Sequence, residues 1–178
     1  MVDLVMLQVM RDLVAIFGVI AGFSYYVMVV RNANKSRRTQ VVLNLRSTLF
    51  NEEMNRNNIE LLSMQWEDFE DFRRKYDSTV DPDKFSRRWK TWSNYEGMGY
   101  LLHEGIIDID MVYNLLGSFG ILQLWQKYEP IIMEQRRFYN EPHWFRWWEY
   151  LASEISKKRV ELGLPARVTD PDVYTKEF

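Results

Sequence analysis

The chain has no cysteine and only two histidines, and these shortages exclude several kinds of chemistry. Without cysteine it can form neither the disulfide framework of a small secreted domain nor a thiolate-bound zinc or iron–sulfur centre, and it has no thiol nucleophile. The two histidines, His103 and His143, are too few for a histidine-rich metal site. A formal net charge of -2 also argues against bulk affinity for nucleic acid.

Sequence motifs that hold metals or nucleotides are missing too. A di-iron helical bundle needs Glu-x-x-His on two helices, but Tyr100 and Asn140 stand three residues before the histidines. There is no phosphate-binding G-x-x-x-x-G-K-[S/T] loop, and Gly97 and Gly99 follow no strand pattern, so we interpret these glycines as positions of close helix packing. We expect no cofactor, no metal and no nucleic-acid partner.

The sequence does contain enough apolar material for a folded domain. Its 178 residues are 47% hydrophobic and include 7 Trp, 10 Tyr and 10 Phe. This length and composition indicate one folded domain with attachments rather than a disordered chain.

Residues 13–30 form a run without a single charged side chain. A helix of this length extends about 27 Å, close to the roughly 30 Å thickness of the hydrocarbon core of a bilayer. We therefore predict a transmembrane helix over residues 13–30, preceded by a short segment, residues 1–12. A cleaved signal peptide and a buried core helix are the alternatives. Asp3 and Asp12 disfavour the first, and the lack of a polar stripe disfavours the second.

A basic collar, formed by Arg31, Lys35, Arg37 and Arg38, follows the apolar run. By the positive-inside rule, the collar places residues 1–12 outside the cell and the C-terminal bulk in the cytoplasm. The expected localisation is thus the cell membrane. Residues 31–46 are predicted to continue the helix and to hold the collar at anionic lipid headgroups.

Gly18 and Gly22 form a G-x-x-x-G motif within the apolar run. Small residues four apart allow a second membrane helix to approach closely. The motif favours association with other membrane proteins, or with a second copy of the chain, through this helix. The alternative is that glycine is simply common in membrane helices.

From Ser47 onward the hydrophobic pattern is helical throughout, and 17 basic residues stand against 23 acidic ones. No run with a period of two residues is bounded by turn residues, so no sheet is expected. We predict an all-α chain, in which one N-terminal transmembrane helix is followed by a cytosolic bundle of about five or six helices over residues 47–163. Residues 164–178 lack periodicity and are expected to be a mobile tail.

Helix boundaries within the bundle are predicted from caps and breaks in the pattern. The first helix is expected to reach about Asn51, a break is expected at Asn57-Asn58, and the next helix is expected to begin at Ser63. The later expected boundaries are N-caps at Asp81 and Asp108, a kink or split at Pro130, and a last helix opened by Pro142.

The densest aromatic segment is residues 143–150, with the sequence HWFRWWEY. If Pro142 opens a helix, the three tryptophans of this segment share one helix face. One interpretation is a bundle core with partly exposed rings, and another is insertion into the lipid headgroup region. The third is a protein–protein hot spot formed by Trp144, Phe145, Arg146, Trp147 and Trp148, because Trp, Tyr and Arg dominate such sites.

Five short segments of the domain form a set of packing motifs. They are Trp66…Phe69-Glu70…Lys75-Tyr76, Glu96-Gly97-Met98-Gly99-Tyr100-Leu101-Leu102, Gly105-Ile106-Ile107-Asp108, Val112-Tyr113…Leu116-Gly117 and Trp125…Tyr128-Glu129-Pro130-Ile131-Ile132. Together these segments resemble an uncharacterised prokaryotic family, catalogued only as a domain of unknown function. The resemblance extends over roughly residues 10–155, with the tryptophan-dense segment at its edge. It implies a short single-pass membrane protein with a helical cytosolic domain, and it supplies no activity, cofactor or catalytic residue.

Three functions are compatible with these patterns. The first is a non-enzymatic accessory or structural subunit that docks on a larger membrane protein complex. The second is a membrane-tethered signalling or regulatory adaptor that recruits a soluble cytosolic partner. The third is an enzyme with an unrecognised polar site among Glu96, His103 and Tyr113.

Overall fold

The computed structural model describes residues 4–49 and 51–168, and within these ranges the chain is helical without strands. This confirms the all-α prediction. The chain divides between Val41 and Val42 into two compact units. The seven described helices are α1 (Leu4–Leu49), α2 (Glu52–Ser63), α3 (Phe69–Tyr76), α4 (Pro82–His103), α5 (Ile109–Leu115), α6 (Ser118–Phe138) and α7 (Arg146–Glu161).

The first unit consists of the N-terminal part of α1, which begins at Leu4, within the predicted leading segment 1–12. By length and composition this helix can cross a membrane, since its most apolar stretch has a mean hydropathy of 2.3. None of that stretch is buried, which disfavours the core-helix alternative. A signal sequence would have the same properties. Arg11 and Asp12 lie just before the apolar run of residues 13–30. Their side chains form an ion pair at 3.0 Å, so the two charges neutralise each other.

The first helix boundary of the second unit lies close to the predicted end at about Asn51, since α1 extends to Leu49 and α2 begins at Glu52. Asn51 accepts a hydrogen bond from the backbone N–H of Met54 at 2.7 Å and thereby caps the N-terminus of α2. The helix then runs through Asn57-Asn58, so the prediction of a break there is wrong. The intrinsic cost of two asparagines, at most about 0.7 kcal/mol each, is small beside the burial of Leu61 and Leu62.

The prediction that a helix begins at Ser63 is also wrong, because α2 ends at that residue. The chain is extended at Met64, and α3 begins only after Asp68, whose side chain accepts from Asp71 N–H at 2.8 Å. Trp66 lies in the connection, and its ring packs 5.1 Å from the rings of Phe72 and Tyr128. A half-buried aromatic residue outside a helix therefore matched the spacing of a helical repeat.

The predicted caps of the later helices are confirmed. Asp81 and Asp108 accept hydrogen bonds from the third backbone N–H beyond them and begin α4 and α5. α6 is one helix from Ser118 to Phe138, so Pro130 does not split it. The last helix is not opened by Pro142, because α7 begins at Arg146.

Large aromatic side chains fill the centre of the second unit. The indole of Trp92 lies 5.1 Å from the ring of Tyr128 and 6.0 Å from that of Trp148, measured between centroids. Trp125 meets Trp148 edge-on at 5.3 Å. α4, α6 and α7 thus share one aromatic core, and this core fixes where α7 lies.

Tyr128 also closes the C-terminal end of α2. Its hydroxyl donates a 2.8 Å hydrogen bond to the carbonyl of Leu61, which lies in the last helical turn. Burial raises the pKa of Tyr128, so the phenol keeps the proton that this bond requires.

Replacing Tyr128 by Phe should therefore lower the free energy of unfolding by about 1–2 kcal/mol, because a buried carbonyl loses its donor. Urea unfolding of the detergent-solubilised chain, followed by circular dichroism, measures the change. Tyr100→Phe is the matched control, because Tyr100 is 46% exposed and the change should be within about 0.5 kcal/mol. Equal stability of the two variants would show that the Leu61 bond contributes nothing.

Part of the predicted tail packs against the bundle. Val168 is 7% exposed, and its backbone N–H donates to Gln126 Oε1 on α6 at 3.1 Å. Arg167 pairs with Glu129 on the same helix at 3.3 Å. Residues 164–168 thus have fixed partners that the sequence did not indicate, and residues 169–178, the rest of the predicted tail, lie outside the described residues.

Candidate aromatic docking surface

α4 and α7 approach closely at one glycine. A Cβ atom on Gly99 would overlap the backbone carbonyl group of Trp147, so only glycine allows the observed distance between the two helices. Gly97, two residues earlier, has nothing within 4 Å of the corresponding position. The interpretation of these glycines as positions of close packing is correct for Gly99 and wrong for Gly97.

The N-terminus of α7 is capped from another helix. Phe145 precedes α7 in a left-handed conformation, with φ 52°, and gives no side-chain cap. Instead, Glu96 Oε2 on α4 accepts a 2.8 Å hydrogen bond from the backbone N–H of Trp148. A carboxylate in this place also interacts favourably with the positive end of the helix dipole.

The turn before α7 is held by α6. Arg136 Nε donates to the carbonyl of Trp144 at 2.8 Å, and Arg136 Nη1 pairs with Glu149 Oε2 at 2.8 Å. Asn140 takes the left-handed conformation that lets the chain reverse after α6. One half-buried guanidinium therefore connects α6, the turn and the first turn of α7.

The structure divides the five predicted interface residues into two groups. Trp148 is 0% and Phe145 6% exposed, so both are core residues, which corrects their assignment to an exposed interface. Trp144 and Trp147 are half-buried, and Arg146 is exposed. Trp144 does not share a helix face with Trp147 and Trp148, because it lies in the turn before α7.

Trp144 instead belongs to a row of rings on the surface of the second unit, which we call the aromatic row. Its ring lies 5.2 Å from that of Tyr139 and 5.9 Å from that of Trp89. The row continues to Phe85, stacked on Trp89 at 5.9 Å, and to Phe138, edge-on to Tyr139 at 4.9 Å. Trp89, Tyr139 and Phe138 are 42%, 44% and 52% exposed.

Two arginines lie against the aromatic row. The guanidinium of Arg73 is 4.2 Å from the ring centroid of Phe138. Arg88 is 2% exposed, lies 5.1 Å from the ring of Phe85, and donates to the carbonyl of Tyr76 at 3.0 Å. Burial lowers the pKa of Arg88 to about 10, and the side chain still carries its charge at neutral pH. The cations stabilise the rings by cation–π attraction.

Sequence reasoning missed most of the row because its members come from three segments. Trp89 is on α4, Phe138 ends α6, and Tyr139 follows α6. Each ring is an ordinary aromatic residue on its own helix, and only the packing of α4, α6 and the turn brings them together.

The residues of the enzyme hypothesis do not form a joint site. Glu96 caps α7, His103 lies against Trp147 with 4.3 Å between ring centroids, and Tyr113 is on α5. No hydrogen bond joins these three side chains in the part of the chain that the structure describes. In that part, no group of three or more His, Asp or Glu residues is placed to hold a metal ion.

The predicted membrane residues lie on the exposed surface of α1. No atom of the described residues lies within 4 Å of a Cβ added to Gly18 or Gly22, which leaves their faces open to another helix. The basic collar, Arg31, Lys35, Arg37 and Arg38, is exposed on the same helix. Helix association and headgroup contact both stay predictions.

Glu96 makes the stability of the α4–α7 contact depend on pH. Burial raises the pKa of Glu96, and the N–H groups of Trp148 and Trp147 oppose this effect. The carboxylate of Glu96 therefore binds a proton more readily in the folded chain than in the unfolded chain. The resulting stabilisation is complete below the ordinary glutamate pKa and is lost as the pH rises through the raised value.

We expect the free energy of unfolding of the wild type, minus that of Glu96→Gln, to increase as the pH falls from about 7 to about 4. Urea unfolding at a series of pH values measures this difference. Phe119→Ala, at an exposed residue without a titratable group, should give a difference that does not change with pH. A flat or opposite profile for Glu96→Gln would contradict the inferred direction.

The geometry defines a class of protein: an all-α domain that follows a long apolar helix and displays an ordered aromatic surface. Residues 12–155 match the family described as DUF4760, a domain of unknown function, and the chain belongs to that family. The match confirms the resemblance to an uncharacterised family and includes residues 143–155, which the resemblance had placed at its edge. Comparisons with curated proteins and with solved structures give no match.

Proposed function

We propose that the chain is a single-pass membrane protein without enzymatic activity, which docks on a larger membrane protein complex as an accessory or structural subunit. α1 is the anchor, with residues 1–12 outside the cell and the helical domain in the cytoplasm. The aromatic row is the docking surface.

The observation that carries this proposal is the aromatic row itself. Trp89, Tyr139 and Phe138 are each roughly half exposed although they are large aromatic residues. Aromatic rings beside arginines are the residues on which protein interfaces most depend, and an apolar patch of this kind marks an interaction site.

Membrane attachment is tested by fractionation of cells that express the full chain. The protein should stay with the membranes after an alkaline carbonate wash and be released by detergent. Replacing Ile16 and Ile20 by Arg should move it to the soluble fraction, because each charge at mid-bilayer costs about 2.5–3.5 kcal/mol. Recovery of the wild type in the soluble fraction would refute the anchor.

Docking is tested by native purification in mild detergent, followed by mass spectrometry. The wild type should co-purify with membrane proteins in fixed ratio, and the double variant Trp89→Ala, Trp144→Ala should lose them. Phe119→Ala is the control, since Phe119 is 46% exposed but lies outside the aromatic row. A chain that is always recovered alone as a monomer would contradict docking.

The adaptor hypothesis predicts a different result in the same experiment. The partner of an adaptor would be a soluble protein that stays bound to the chain after the membranes have been solubilised. Its binding would depend on the same aromatic row. Retention of soluble proteins alone would favour the adaptor over the accessory subunit.

A further inference from the structure

A polar hollow of about 220 Å³ lies within the second unit, away from the residues of the aromatic row. It is formed by the C-terminal end of α1, the N-terminal half of α2 and the middle of α4. No acidic residue is among the described residues that line it. Its polar lining consists of Ser47, Thr48, Asn51, Asn57, Lys90 and Asn94.

Asn57 leaves a hydrogen-bond donor unused in this hollow. Its side chain is 4% exposed, and its Nδ2 has no hydrogen-bond partner among the residues that the structure describes. A buried donor without an acceptor costs about 1–3 kcal/mol. The missing group is therefore an oxygen that can accept a hydrogen bond.

Two more donors in the lining are only partly satisfied. Asn94 Nδ2 contacts Met54 Sδ at 3.9 Å, and a thioether is a weak acceptor. Lys90 Nζ donates to Glu53 Oε1 at 2.8 Å, which uses one of the three N–H groups of the ammonium. The hollow thus combines two amide donors with the remaining N–H groups of an ammonium whose charge is paired with Glu53.

The hydroxyl groups of the lining offer hydrogen-bond acceptors rather than free donors. Ser47 and Thr48 both donate to the carbonyl of Asn44, at 2.8 Å and 3.0 Å. Their protons are therefore used, and their oxygens remain able to accept a hydrogen bond. A ligand for this hollow needs an anionic oxygen for the donors and a hydroxyl for these acceptors.

We propose that the hollow binds a small hydroxycarboxylate. The carboxylate accepts from Asn57 Nδ2 and Lys90 Nζ, and the ligand hydroxyl donates to the side-chain oxygen of Ser47 or Thr48. The ligand carboxylate would then share the ammonium of Lys90 with Glu53, which already pairs with it. The volume exceeds the roughly 150 Å³ of an engineered cavity that holds benzene, which suits a ligand of a few carbon atoms. This site is independent of docking through the aromatic row.

The test uses the full chain in nonionic detergent, titrated with lactate and followed by saturation-transfer NMR. Lactate should bind saturably, and lactamide, which has the same shape without the charge, should bind at least tenfold more weakly. Failure of lactate to saturate, or equal binding of lactamide, would overturn the proposal.

Variants then assign the contacts. Asn57→Asp keeps the shape but removes the donor, and Lys90→Met removes the charge; each should weaken lactate binding at least tenfold. Lys157→Met is the matched control, because Lys157 forms a similar exposed ion pair with Glu154 outside the hollow. If circular dichroism shows that Asn57→Asp is unfolded, Asn57→Ala replaces it. Unchanged binding in the Asn57 and Lys90 variants would refute the assigned contacts.

Discussion

Gly99→Ala should separate α4 from α7 and lower the free energy of unfolding by about 3 kcal/mol or more. The added methyl group would overlap the backbone carbonyl of Trp147, and a backbone group cannot turn aside as a side chain does. Overpacking of a core costs about 1–3 kcal/mol when side chains absorb it, so a clash with backbone lies at or above that range. Urea unfolding followed by circular dichroism measures the loss.

Gly97→Ala is the matched control for this prediction. It makes the same chemical change on the same helix, two residues away, where the structure leaves open space. Alanine is the better helix former by about 0.8–1 kcal/mol, so this variant should be as stable as the wild type or more stable. Similar destabilisation by both substitutions would mean that Gly99 does not determine the helix contact.

Trp148→Ala and Trp144→Ala should separate folding from docking. Trp148 is completely buried, and its indole N–H has no hydrogen-bond partner within the described ranges, so its replacement removes packing alone. A loss of about 3–5 kcal/mol is expected for a large aromatic residue in a core. Trp144 is half-buried in the aromatic row, and its replacement should cost only about 1 kcal/mol.

In a measurement of partner retention, Trp144→Ala should be the more damaging of the two substitutions. Trp144→Ala should reduce retention of the docked partner at least tenfold while the domain stays folded, because hot-spot side chains contribute about 2 kcal/mol or more to binding. Urea unfolding gives the stability of each variant, and quantitative mass spectrometry of the purified complex gives retention. Undiminished retention by a folded Trp144→Ala variant would remove Trp144 from the interface.

The fold was predictable where a local signal decides it. Asp81 and Asp108 are caps whose side chains satisfy backbone N–H groups within the next turn, so three or four residues contain the whole explanation. The apolar run of α1 is equally local, because its length and lack of charge are properties of one segment.

Prediction of the fold failed where contacts with a distant segment determine the local conformation. The segment at residues 143–150 fits a helical pattern from Pro142, yet α7 begins only at Arg146 because Arg136 on α6 holds the preceding turn and Glu96 on α4 caps the helix. Both partners are remote in sequence, so no local pattern contains them. At Asn57 the local preference is for a turn, yet the residue lies inside α2, so the surrounding packing overrides that preference.

The anchoring of the turn before α7 determines what binding to Trp144 would cost. Its backbone carbonyl is tied to Arg136, and Arg136 is tied to Glu149, so the indole is presented from a segment whose backbone torsions are already restrained. A protein that binds this ring therefore causes little further loss of conformational entropy in the loop. By mass action it would also shift the equilibrium against local opening of the segment, so amide hydrogen exchange in the first turn of α7 should slow on association.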